Sequence, residues 1–346
     1  LLLLSFSLTL TAGSLQSRDN IMAEKIWDTY TITEPGIYAE LPIEKYHSHV
    51  CVGPSISSSG LRAIANGSPA EYWATSYLNP EAEPREDKDH FRLGQAAHTL
   101  FLGEGKFDEQ FSVKPATYVD PKTGAEKKWN GNANVCKEWI AEQEQSGKRL
   151  LSTEQMHDLK GMAGMLPWQA NCPNSGLRNS GMVQSGILDG AIERSLIWKD
   201  PETHIWLKAR PDLVDLNDAY PVDLKTTREA RKVENSIADL GYNMQAALVA
   251  EGLREVCDLD CRGFAFVFVQ TSAPYTVEVV ELSEEDLELA RRELRRSIRL
   301  FADCLNKNEW PAGTGEPRTW ITPQWYSSKL ENLEAANDLP ILENVA

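Results

Sequence analysis

Two aspartates and a lysine raise the question of what this chain does: Asp212, in Lys208-Ala-Arg-Pro-Asp212, and Asp223 with Lys225, in Asp223-Leu-Lys-Thr-Thr227. Both segments have β-rich composition, and the polar stretch around Asn217-Asp218 between them makes them adjacent antiparallel strands. Residues two apart on a strand share a face. Asp223 and Lys225 therefore point the same way, Leu224 points to the core, and Asp212 converges on the pair from the neighbouring strand. Two carboxylates that close raise each other's pKa unless a cation lies between them. Oxygen ligands in this arrangement suit a hard divalent ion such as Mg²⁺, with Mn²⁺ as a substitute. Such an ion binds a phosphate and acidifies a water, and Lys225 orients that nucleophile or offsets the charge that develops. The chemistry implied is phosphodiester hydrolysis.

These residues need a scaffold, and the surrounding pattern supplies one. Segments 191–200, 204–216 and 219–227 alternate like a three-strand meander, followed by one long helix over 234–255. The apolar run 263–271 suits a buried strand, with Tyr275 to Leu282 as its hairpin partner and 284–305 as a final helix. Upstream, Ser57-Ser58-Ser59 open a helix that breaks at Gly67-Ser68-Pro69 and restarts, and 91–103 reads as a largely buried helix carrying His98. Residues 134–145 and 153–166 are helical by pattern, the latter opened by a Ser152/Gln155 capping box, and 115–133 has loop chemistry. The order is helix, three strands, helix, strand: one α/β domain over 45–310 with additional helices. Residues 1–44 read as an extension, extended over 23–55 with a short strand and artefactual or disordered at its start, and 311–346 as an aperiodic tail.

Composition narrows the class. At 346 residues, 42% apolar and 25% charged, the chain is of the soluble globular kind. A formal charge of −16 repels nucleic acid overall, so any DNA contact must come from local cations such as Arg228, Arg231 and Lys232. The arginines at 291, 292, 295, 296 and 299 are interleaved with acidic residues and read as an ion-paired, solvated helix face. Six scattered cysteines suggest reduced thiols in a cytoplasmic protein and supply no iron–sulfur spacing. The opening LLLLSFSLTLTAGS has the length of a signal-peptide core but lacks a basic flank, and it is too short to span a bilayer; Met22 is a plausible start, so no membrane association is expected.

Asp212 with Asp223-Leu-Lys225 resembles the PD-(D/E)XK nucleases in their Asp-x-Lys version. Gly94-Gln-Ala-Ala-His98 is similar to the Gly-x-x-x-His motif of the RecB-type branch, where the His is a metal ligand. Glu193 stands where relatives of lambda exonuclease and RecE place an acidic residue, and Tyr242-Asn-Met-Gln245 resembles the Tyr/Gln helix motif. Together with Ile56-Ser-Ser-Ser-Gly-Leu-Arg62, Arg92-Leu-Gly94 and Gly241-Tyr-Asn-Met-Gln-Ala-Ala247, these resemble the RecE-like (exodeoxyribonuclease VIII) C-terminal nuclease domain over roughly 45–305.

The resemblance implies an αβββαβ core with a mixed sheet flanked by helices. It implies a Mg²⁺-dependent, ATP-independent exonuclease that resects linear double-stranded DNA for recombination of the phage or prophage type. Metal would be held by His98, Asp212, Asp223 and the Leu224 carbonyl, with Glu193 assisting; Tyr242, Gln245 and Arg228 would support the site or touch DNA. The serines 57–59 and Arg62 at a helix start form an expected anchor for a terminal 5′-phosphate. Expected partners are duplex ends, a single-strand annealing recombinase and further copies in a ring, in the cytoplasm of a bacterial or phage-infected cell. Competing readings are a catalytically silent DNA-binding scaffold of the same fold and an endonuclease of the superfamily.

Overall fold

A computed structural model describes residues 24–82, 89–102, 107–166, 190–217, 219–261, 263–313 and 319–336. The apolar leader, Met22, Cys172 and Asp218 lie outside the described residues. The chain divides into two units, Leu1–Trp310 and Pro311–Ala346.

In the first unit the order is β1 (Lys25–Ile26), β2 (Gly36–Ala39), α1 (Ile43–Tyr46), β3 (Ser55–Ser57), α2 (Ser58–Asn66), α3 (Pro69–Ala74) and α4 (Asp89–Leu102). Then come α5 (Phe107–Gln110), β4 (Phe111–Val113), β5 (Thr117–Val119), β6 (Glu126–Lys128), α6 (Asn134–Gln145), β7 (Arg149–Leu151) and α7 (Thr153–Met165). The remainder is β8 (Ala191–Ile192), β9 (Ser195–Lys199), β10 (Trp206–Ala209), β11 (Leu213–Asp215), β12 (Tyr220–Thr227), α8 (Val233–Asp239), α9 (Tyr242–Cys257), β13 (Phe264–Gln270), β14 (Val277–Leu282) and α10 (Glu284–Lys307). The second unit contains α11 (Gln324–Ala335), a helix in the stretch expected to be aperiodic.

Two five-stranded sheets carry the fold, ordered β1-β2-β9-β10-β3 and β14-β13-β12-β11-β8. In the second, β12 and β13 run parallel and the other pairs antiparallel, which makes the sheet mixed. β13 explains why it is central. Phe264, Phe266 and Phe268 project to one face and pack with α2, α9 and α10, while Ala265, Val267 and Val269 project to the other and pack with α4 and α7. Burying each Phe contributes about 1.5–3 kcal/mol. α9 is apolar almost all round, with Ala246 to Ala250 and Leu253 buried, as a helix enclosed by other elements must be. Gly252 lets it approach the first sheet: a Cβ there would lie 2.8 Å from the Trp198 ring.

The expected helix, strand and capping-box pattern is present, including the reciprocal Ser152/Gln155 bonds that open α7, but four details differ. The meander breaks within its first two strands, at Glu193-Arg194 and at Arg210-Pro211-Asp212, so β9 and β10 join the first sheet while β8 and β11 join the second. Proline cannot donate to a ladder, and here it falls at the break. Residues 23–55, expected as an extended lead-in, include two strands of the first sheet and the start of a third; Gly36–Ala39 are buried on both faces and so show no alternation. The loop expected over 115–133 contains the hairpin β5–β6. The single helix expected over 234–255 is two, α8 and α9, divided at Gly241, whose φ of 64° lies in the left-handed region. Among the described residues no helix is long and apolar enough to cross a membrane.

Candidate active site

The site forms where the two strands break. Glu193 N–H donates to the Asp212 carbonyl at 3.0 Å, so these residues face each other on neighbouring strands. Glu193 has φ 54°, a left-handed conformation that costs a non-glycine residue about 1–2 kcal/mol. That turn brings its carboxylate onto the Arg210 guanidinium, two residues before Asp212 in the break between β10 and β11. Arg210 also donates to the Leu41 carbonyl at 2.7 Å, tying the site to the segment after β2. The sequence motifs name Arg210 only as part of Arg210-Pro-Asp212; its meeting with Glu193 follows from the bend there, which strand parity does not encode.

Asp212 is 7% exposed and receives two polar contacts. Its Oδ2 accepts the Leu224 backbone N–H at 2.6 Å, which fixes it against β12, and its Oδ1 lies 3.4 Å from His98 Nδ1 on α4. On β12, Asp223 and Lys225 form an ion pair on the face opposite Leu224, as expected from parity. Gln245 Nε2, one turn into α9, donates to Asp223 Oδ1 at 2.5 Å. Tyr242 at the start of α9 lies under the Lys225 ammonium, 4.9 Å from its ring centroid.

The electrostatics follow from this crowding. Burial works against a charged His98, but the carboxylates of Asp212 and Asp223 outweigh it and raise its pKa to about 9. Burial also works against Asp212, yet His98, Lys225 and the Leu224 N–H hold it below the ordinary carboxylate value. Asp223 is displaced upward, first by burial and then by Asp212. Burial opposes the Lys225 charge, and Asp223 and Asp212 outweigh it and raise its pKa.

Ligand atoms of His98, Glu193 and Asp212 all lie within 4.8 Å of one another. An imidazole and two carboxylates around one point, with a third carboxylate, that of Asp223, buried beside them, is a donor set that fits a divalent ion. Asp223, expected as a ligand, instead engages Lys225 and Gln245 and is not one of the three convergent groups; Leu224 contributes its N–H to Asp212. Arg228 is exposed just past β12. The residues expected as a phosphate anchor separate. Ser57 and Ser59, whose hydroxyls are 3.1 Å apart, line a cavity of about 360 Å³ with His47, Tyr77 and Lys208, whereas Ser58 and Arg62 are not part of its lining. Arg62 turns to Tyr242, its guanidinium 5.4 Å from the ring centroid.

No curated protein matches this chain in sequence. Among solved structures, a chain from Eubacterium rectale designated an exonuclease is similar at 13% identity and TM-score 0.46, covering 81% of this chain and 92% of that one. A phage-related exonuclease from Haemophilus somnus 129PT is similar at 11% identity and TM-score 0.26, covering 62% of this chain and 95% of its own. The model of one protein family, described as a PDDEXK-like domain of unknown function (DUF3799), matches residues 57–320. That span includes α2, both strand breaks and the Asp212, Asp223 and Lys225 set, so the chain belongs to this PDDEXK-like family and to the fold class its motifs resemble.

Proposed function

We propose that the chain is a Mg²⁺-dependent deoxyribonuclease that degrades linear duplex DNA from its ends. The observation that carries this reading is the convergence of His98, Glu193 and Asp212 beside a lysine that is itself paired to a third carboxylate, that of Asp223. A divalent ion held by His98, Glu193 and Asp212 would supply charge to the scissile phosphate and acidify a water there. Lys225, fixed by Asp223 and Tyr242, stands ready to orient the attacking water and to offset negative charge on the phosphoryl oxygens. Arg210 keeps Glu193 in place, and the Leu224 N–H keeps Asp212 in place. Arg228, Arg231 and Lys232, exposed after β12, give the strand backbone a local cationic approach on an otherwise acidic protein.

Exonuclease action, resection for phage-type recombination, an annealing recombinase as partner, a ring of copies and a cytoplasmic setting rest on the resemblance of the motifs to RecE-like nucleases. A terminal 5′-phosphate would be received by the Ser57 and Ser59 hydroxyls in the cavity that Lys208 also lines. The test is digestion of end-labelled linear duplex, with and without a 5′-phosphate, beside closed circular DNA, in Mg²⁺ and after chelation. Linear DNA should be consumed, circles spared, and both left intact with chelator. Failure to hydrolyse either substrate in Mg²⁺ or Mn²⁺ sinks the proposal.

A further inference from the structure

α9 begins with the two residues that touch the Asp223–Lys225 pair, Tyr242 and Gln245, and its first turn is held from outside the second sheet. At the junction between α8 and α9, Arg62 Nη1 donates to the Leu240 carbonyl at 3.1 Å and Asn66 Nδ2 donates to the Asp239 carbonyl at 2.9 Å. Residues 62 and 66 are four apart on α2 and so lie on one helix face. They take successive carbonyls at the end of α8, groups that a helix leaves without an internal partner.

The fit is close. A Cβ on Gly241 would stand 3.1 Å from Arg62 Cγ and 3.3 Å from Asn66 Nδ2, and the φ of 64° there already excludes most side chains. Beyond the glycine, the Arg62 guanidinium reaches 5.4 Å from the centroid of the Tyr242 ring, the same ring that the Lys225 ammonium approaches at 4.9 Å. α2 follows directly on β3, which pairs with β10 in the first sheet, so the contact joins the first sheet's scaffold to the hydrolytic strand of the second.

We propose that Arg62 and Asn66 are positioning residues of the hydrolytic site: gripping the α8–α9 junction, they hold Tyr242 against Lys225 and Gln245 against Asp223. This rests on the reading of that site as hydrolytic. A donor on Asp223 favours its carboxylate form and an aromatic face favours the Lys225 ammonium, so one displaced helix turn disturbs both partners together. Displacements of about 1 Å from a productive geometry can cost on the order of 10²-fold in rate.

The test uses the full chain with Arg62→Met, which keeps the stem and removes the fork, and the milder Asn66→Ala. Two readouts are needed: kcat and KM on linear duplex DNA, and the side-chain amide resonances of Gln245, which report its bond to Asp223 without any turnover. For Arg62→Met we expect kcat to fall about 10- to 100-fold, the range for supporting residues around a metal site. KM for DNA should change little, and the Gln245 resonances should move. Asn66→Ala should move both in the same direction by less, and Arg62→Met should cost less in a Gln245→Ala background than in the wild type, because only the Tyr242–Lys225 contact then remains to be displaced. A raised KM at constant kcat would make Arg62 a DNA contact and overturn the proposal. So would a lowered Tm with kcat and the Gln245 resonances unchanged, the result of a helix cap alone. If the wild type is inert in Mg²⁺ and Mn²⁺, the hydrolytic reading fails, and unmoved Gln245 resonances would overturn the positioning role separately.

Discussion

Among the described residues, Lys208 of the first sheet is buried and Lys225 of the second is partly buried, and their surroundings are opposite. Lys208 on β10 is 2% exposed and has no carboxylate partner among the described residues. Its ammonium donates to the Tyr46 and Ser48 carbonyls and lies between the Tyr46 and Tyr77 rings, at 5.2 and 5.6 Å from their centroids. Burial lowers its pKa to about 8. Lys225 on β12 is partly buried, yet its pKa is raised, because Asp223 and Asp212 outweigh burial. Carbonyl dipoles and ring faces stabilise an ammonium only in part, and at Lys208 burial prevails over them. Carboxylates supply a full counter-charge, and at Lys225 they prevail over burial. Lys208 therefore reads as a staple between α1 and β10, and Lys225 as the lysine of the proposed hydrolytic site.

The largest test of this contrast is the pair Lys225→Met and Lys208→Met. Losing Lys225 should lower kcat on linear duplex DNA by about 10²- to 10³-fold, the scale of one preorganised electrostatic contact to a transition state, while losing Lys208 should change kcat by less than about 3-fold, on the same scale. Equal losses would break the comparison. The second test is the pH dependence of stability. The unfolded chain holds the Lys208 proton up to its ordinary value near 10.5, whereas the folded chain releases it from about 8, so stability rises with pH across that window. Urea denaturation should show the wild type gaining on Lys208→Met by up to roughly 3 kcal/mol between these limits; a flat difference would show that the ammonium is not buried as a charge. The smallest effect concerns the cavity beside Lys208. Ser57→Ala and Ser59→Ala should each weaken the preference for 5′-phosphorylated ends by about 2- to 10-fold, one hydrogen bond's worth. An unchanged preference would leave Lys208 and its cavity purely structural.

Much of this was legible in the sequence because it depends on parity and spacing. Asp223 and Lys225 had to share a face, and Leu224 had to oppose them, in any strand containing 220–227. What escaped depends on where the chain bends. Glu193 was a candidate on a continuous strand, and nothing in Ala191-Ile-Glu-Arg194 announces a left-handed residue, since only its neighbours in space make that conformation worth its strain. Pro211 was a visible warning of a broken strand, and Gly241 of a broken helix, but a lone Gly in a helical pattern is usually tolerated. Arg62 looked like part of the serine cluster because one helical turn separates them; its reach to Tyr242 depends on packing between α2 and the α8–α9 junction, which no local pattern encodes.

The coincident breaks at Glu193 and Asp212 also set how this gene can drift. The β9–β10 hairpin lies between them, and its turn is itself anchored: the buried Asp200 carboxylate accepts from Thr203 and Arg295, and Glu202 pairs with Arg299. One residue inserted between either break and its strand would exchange the two faces of everything up to the next bend and turn Arg210 away from Glu193. Homologues should therefore show an unvarying count of residues from β9 back to Glu193 and from β10 forward to Asp212.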